Sequence, residues 1–218
     1  MRLFNKMQLV TMISLMIVIS SCAPRRYISD PDSGMYTLAE YQDTLNLWVT
    51  HDEVHKELIG VADVHALYKS WEVRQAYLDA LNQRANLSSE ELESKKEREI
   101  KQFRNGHEFL IGLYCYKKDW YKVTGQDPVW RLTLSSSNGS KVRPFLIEEV
   151  TVDSDKAWQY LDFMVHARKT YRVVFPNLTD DDQEVIGPDI EWFSVSLHSL
   201  LGTLECKWDI GPIPVELK

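Results

Sequence analysis

The sequence predicts an α+β protein in which two antiparallel β-sheets pack face to face as a sandwich, preceded by an N-terminal helix and interrupted by an inserted helical hairpin. Three observations lead to this reading. Six to eight short runs of apolar and β-branched residues, separated by turn formers, fill the chain from His107 to about residue 210. Two capping boxes, Thr37-Leu-Ala-Glu40 and Ser88-Ser-Glu-Glu91, mark helix starts upstream of that region. Asn138-Gly139 lies between two alternating runs, the strongest short-range signal for a β-hairpin.

The chain begins MRLFNKMQLVTMISLMIVISSCAP. Arg2 and Lys6 form a positive head, and the apolar run Met7–Ile19 falls short of the about 20 residues that cross a ~30 Å hydrocarbon core. Residues 1–21 therefore read as an export signal. Its end, Ile19-Ser20-Ser21-Cys22, resembles the lipobox of bacterial lipoproteins: an aliphatic residue, two small residues, and the cysteine that becomes the first residue after cleavage. The resemblance implies a palmitate-class diacylglyceryl thioether on Cys22 and usually a further acyl chain on its amino group. One chain holds a protein only marginally, whereas two or three make a stable anchor. Ala23 after the cysteine resembles lipoproteins sent on to the outer membrane. The implied location is the bacterial cell envelope, on a lipid anchor facing the periplasm. Residues 22–35, rich in proline and turn formers, are expected to form a flexible tether that holds the body up to about 40 Å from the membrane.

Residues 36–218 are expected to make one domain. Leu38, Tyr41, Leu45 and Trp48 recur at helical spacing and predict an N-terminal helix over 37–56. Leu58–Tyr68 alternates as a strand. Ser70 caps a helix bearing Val73, Ala76, Tyr77, Ala80 and Leu81 on one face; a second, almost wholly charged helix follows from about Ser89 to Arg104. Together they make an antiparallel hairpin over 70–105, closed at Asn105-Gly106, where a left-handed cap fits. The region 107–210 is mainly β: Glu108–Tyr116, Val129–Leu134, Lys141–Val152, Lys169–Phe175, Ile190–Leu197 and Thr203–Trp208, with a short helix at Asp155–Phe163. An immunoglobulin-like or transthyretin-like sandwich suits this order better than a barrel. The body is also similar to bacterial lipoproteins of unknown function that carry a helical hairpin before a β-domain, a resemblance that implies no activity.

Removal of residues 1–21 takes away two basic residues and no acids, so the mature chain carries 23 basic against 32 acidic side chains, a net charge of −9. An acidic chain argues against a nucleic-acid partner. Lipidation would consume Cys22 and leave Cys115 and Cys206, both in strand-like runs. They are read either as a bridge between an early strand and the last one, permitted in an oxidising compartment, or as two buried thiols acting as small hydrophobes.

No motif assigns chemistry. His51-Asp-Glu-Val-His55 places two imidazoles at i and i+4 but lacks the glutamate of His-Glu-x-x-His directly after the first histidine. It reads as exposed histidines on a helix in preference to a structural Zn²⁺ or Cu²⁺ site with Glu57. Asp180, Asp182, Glu184 and Glu191 match EF-hand positions 1, 3, 5 and 12, but Val185 stands where glycine is required, so this is an acidic inter-strand loop. No Gly-x-Ser-x-Gly, phosphate loop or neighbouring Cys–His pair appears. Trp120-Tyr121, Trp158, Tyr160 and Trp192-Phe193 read as core in preference to a glycan platform. The sequence thus predicts no catalytic residues, no metal site and no cofactor. The expected function is that of a lipid-anchored, non-enzymatic protein-interaction or structural module with an unidentified envelope protein as partner. The alternative is a ligand-, peptidoglycan- or metal-binding lipoprotein, or a hydrolase without a recognised motif.

Overall fold

The computed structural model describes residues 26–29, 31, 41–56, 59–151 and 169–211. The signal segment with Cys22, the Thr37–Glu40 capping box and the helix expected at Asp155–Phe163 lie outside the described residues. Within them the protein is α+β, with two antiparallel sheets and three helices: α1 (Tyr41–Trp48), α2 (Trp71–Ala85) and α3 (Ser89–Asn105). The strands are β1 (Val49–Lys56), β2 (Ile59–Tyr68), β3 (His107–Cys115), β4 (Arg131–Ser136), β5 (Lys141–Val142), β6 (Leu146–Val150), β7 (Lys169–Phe175), β8 (Trp192–Ser199) and β9 (Gly202–Asp209). One sheet has the order β1-β2-β3-β7-β6 and the other β5-β4-β8-β9. No helix among the described residues is long and apolar enough to cross a membrane.

Alternation along the strands sends one set of side chains into a core shared by both sheets. Phe109 of β3 meets Phe193 of β8 and Trp208 of β9 with ring centroids 6.2 and 5.4 Å apart, and Tyr68 of β2 meets Phe193 at 5.1 Å. Trp48, Trp130 and Trp208 are fully enclosed, and their indole N–H groups find Glu72, the Trp120 carbonyl and the Trp48 carbonyl at 2.8 Å each. A buried indole keeps its donor satisfied in this way.

The sequence-predicted helix over 37–56 is cut short. It ends at Trp48, and Val49–Lys56 pairs with β2 along its whole length. Val49, Thr50 and Val54 are β-branched, and the period shifts to two: Thr50, Asp52 and Val54 turn inward while His51, Glu53 and His55 turn outward. Inward Asp52 is used, since its Oδ2 accepts the Glu205 N–H at 2.7 Å and ties β1 to the edge strand β9.

The hairpin forms as its caps direct. Ser70 Oγ accepts from the Val73 amide, and Ser88 and Glu91 make the reciprocal capping box. Its exit differs from expectation. Gly106 has φ 164°, extended rather than left-handed, and the left-handed residue is Asn86 at the end of α2. Glycine is required at 106 by close approach, because a Cβ there would lie 2.4 Å from the Phe175 carbonyl oxygen.

Two further expectations change. The single strand over Lys141–Val152 is two strands in different sheets, broken at Arg143-Pro144, where proline cannot donate to a ladder. Residues 26–29, expected in a flexible tether, are docked on the body. Arg26 forms a parallel bridge with Ile210, the Gly211 N–H donates to its carbonyl at 2.7 Å, and its Nε donates to the Leu47 carbonyl. Tyr27 and Ser29 are buried, and Ile28 packs against the core.

Cys115 and Cys206 are both free, so the bridge the sequence allowed is not formed. Each sulfur has a different neighbour. Cys115 Sγ–H faces the Trp120 carbonyl at 3.5 Å, and Cys206 Sγ–H faces the Thr50 carbonyl at 3.7 Å. Burial pushes the two thiols up to about 11 and about 12, far from the thiolate form that reacts. Native protein is therefore expected to resist a thiol reagent at pH 8 and to yield both groups on denaturation. Recovery of a Cys115–Cys206 disulfide by mass spectrometry would contradict this packing.

Candidate functional site

Functional groups concentrate on the outer face of the five-stranded sheet, away from the shared core. Register places its side chains in rows across the strands. One row is Val49, Leu67, Leu110, Arg172 and Glu148; the next contains His51, His65, Gly112 and Thr170; a third contains Glu53, Asp63 and Tyr114. The hairpin covers the first of these rows. Glu108, two residues before Leu110 on β3 and on the same face, is 3% exposed and sits at the centre of an ion cluster.

Three cations converge on Glu108. Lys69 Nζ, Arg74 Nη2 and Arg172 Nε donate to its carboxylate at 3.1 Å each. Arg74, from α2, is wholly enclosed and also donates to Glu99 and Gln102 of α3, while Arg172 reaches Glu148 at 3.1 Å. Burial alone would raise the Glu108 carboxyl, but Lys69, then Arg74 and Arg172, outweigh it and hold the group down at about 2. Burial and the nearby Arg74 charge lower Lys69. Lys69, Arg74 and Arg172 balance Glu99, Glu108 and Glu148, so the cluster is electrically neutral. Its groups answer one another, which is the signature of a structural clamp.

A cavity of about 310 Å³ opens beside the clamp between the hairpin and the sheet, walled by Leu67, Val73, Tyr77, Arg98 and Leu110 as well as the clamp residues. Sequence reasoning missed this region. The usable signal was a lone acid, Glu108, opening an apolar run, and a lone Arg74 on the apolar side of an amphipathic helix, two opposite charges that can be buried only together.

The sequence-flagged groups are dispersed. His51 and His55 are not one helical face but alternate positions on β1, and His51 stacks on His65 with centroids 5.3 Å apart. Glu57 lies outside the described residues. The acidic segment is a loop, as expected: Leu178 bridges Glu184, Thr179 accepts from the Asp182 amide, and Asp182 takes φ 59°. Tyr121 and Phe193 are buried, Trp120 and Trp192 lie on different elements, and Trp158 and Tyr160 fall outside the described residues. Among the described residues, no three of His, Cys, Asp and Glu have their ligand atoms gathered on one point.

No protein-family model matches the chain, and no curated protein or solved structure matches it either.

Next to the clamp, His107 is buried with Nδ1 3.2 Å from the Tyr68 hydroxyl and Nε2 unpartnered, and burial lowers it to about 3. A histidine held neutral stabilises the fold above its unfolded value of 6.5 and loses that contribution as pH falls toward about 3. Glu108, held ionised, does so between 4.5 and about 2. Urea midpoints are therefore expected to fall from pH 7 to 5, chiefly through His107, and to fall more steeply below 4.5, where Glu108 adds to it. His107→Gln should flatten the first decline and leave the Glu108 share of the second; an unchanged first decline would remove His107 as its cause.

Proposed function

We propose that the chain is a lipid-anchored protein of the bacterial cell envelope, attached through Cys22 to the outer membrane and facing the periplasm, where it acts as a non-enzymatic protein-interaction or structural module. The observation that carries this reading is the lipobox-like run Ile19-Ser20-Ser21-Cys22; the docking of residues 26–29 onto the end of β9 supports a fixed orientation for such an anchor. Four peptide steps from Cys22 to Arg26 span at most about 14 Å. An acylated Cys22 would thus hold the body against the membrane in one orientation, with no long tether between them.

In that orientation the Arg26 and Ile210 end faces the lipid. β8 and β9, eight residues each, carry the opposite end about 25 Å outward. There Leu200, fully exposed at the tip of a two-residue turn, lies beside Trp120, Val129 and Leu201 in a shallow groove edged by Arg131 and His198. An apolar surface with a polar rim suits contact with an envelope protein. The two sheets sharing one core are read as a β-sandwich of the immunoglobulin-like or transthyretin-like kind.

Cys22→Ser is expected to abolish palmitate labelling and to move the protein from the membrane fraction to the soluble one. An unlabelled variant that still sediments with membranes would contradict the acyl anchor.

A further inference from the structure

We propose that His51, Glu53, Asp63 and His65 form a binding site for one divalent transition-metal ion of the zinc class. The site lies on the open part of the outer sheet face, beside the hairpin, and is independent of the lipid anchor.

The register of β1 and β2 makes the site. His51 stands directly opposite His65, and two residues along the strands Glu53 stands directly opposite Asp63, all four on one face. Facing residues on antiparallel strands have Cβ atoms about 5 Å apart, and successive rungs on one face are spaced about 6.8 Å. Four ligating side chains therefore rise from the corners of a small rectangle; no three of them already converge among the described residues, and the exposed pair has to rotate to bring all four over a common point. Two imidazoles and two carboxylates form a donor set that suits Zn²⁺, which binds nitrogen at about 2.0–2.1 Å and oxygen at about 2.0–2.2 Å.

One edge of such a polyhedron is already in place. His65 Nε2 lies 3.2 Å from Asp63 Oδ1, close to the roughly 3.3 Å that separates two ligand atoms of a tetrahedral zinc. That same Asp63 oxygen is buried and accepts no hydrogen bond. His51 supplies the second imidazole; its ring lies stacked on His65 at 18° between planes and has to turn to aim a nitrogen at the ion. His51 and Glu53 are exposed, so side-chain rotation can bring them over the ion without moving the backbone.

His55 flanks the site with Nδ1 3.9 Å from Glu53 Oε1, beyond the irregularity between Val54 and His55 that shifts its register. It is not one of the four ligands.

The test is calorimetric titration of ZnCl₂ into untagged, full-length protein in detergent at pH 7.5, with circular dichroism to verify folding of each variant. The wild type is expected to bind one ion per chain. His51→Ala and Asp63→Asn should each weaken binding by at least tenfold, while His198→Ala, an exposed histidine on the other sheet, should leave it unchanged. As a readout independent of the variants, Zn²⁺ should broaden or shift the His51 and His65 imidazole signals together. Absence of stoichiometric binding, or binding that survives folded His51→Ala and Asp63→Asn proteins, would overturn the site.

Discussion

The placement of the helical layer depends on one buried carboxylate. Glu108 is almost inaccessible, and a lone ion in that position would cost several kcal/mol of desolvation. It is tolerated because β2, α2 and β7 each deliver a cation to it: Lys69 at the end of β2, Arg74 and Arg172. The same Arg74 extends to Glu99 and Gln102, so α3, which has no buried residue of its own, is held through α2. Hydrophobic packing alone would leave a helix that polar free to slide. The clamp fixes where the hairpin lies, and so leaves the His51–His65 and Glu53–Asp63 rungs uncovered at its side.

A second constraint closes the molecule on the opposite flank. β1 and β9 are edge strands of different sheets, and an unpaired edge invites association with other chains. Here they cover each other through Asp52 to the Glu205 amide, the Cys206 thiol over the Thr50 carbonyl, and Trp208 to the Trp48 carbonyl. Gly202 permits the contact at the far end, where a Cβ would meet Val54 Cγ2 at 2.6 Å. Residues 26–29 continue this seam at the other end. The proposed anchor at Cys22 lies four residues before this seam in the chain.

What could be read in the sequence follows from which forces are local. The two helix caps at Ser70 and Ser88 and the Asn138-Gly139 turn are decided within four residues, and all three form as written. The strands β2, β3, β7, β8 and β9 carry clear alternation and were legible too. β1 was not, because Leu45 and Trp48 begin a helical period that the next eight residues abandon, and its pairing partner β2 decides the matter. Gly106 was misassigned because its need is tertiary, the approach of Phe175, which no local pattern encodes. The candidate metal rungs depend on the pairing of β1 with β2. His51 and His55 drew attention through their spacing, yet the structure joins His51 to His65, fourteen residues on.

The most direct test of this account is a double-mutant cycle on Arg74→Met and Glu108→Gln, measured by chemical unfolding at pH 7. If the clamp sets the hairpin, each single change should cost about 3–5 kcal/mol by stranding a buried charge, and the double variant should cost far less than the sum. Losses that add to within about 0.5 kcal/mol would show that the two side chains are not coupled, and that something other than Glu108 holds the helices on the sheet.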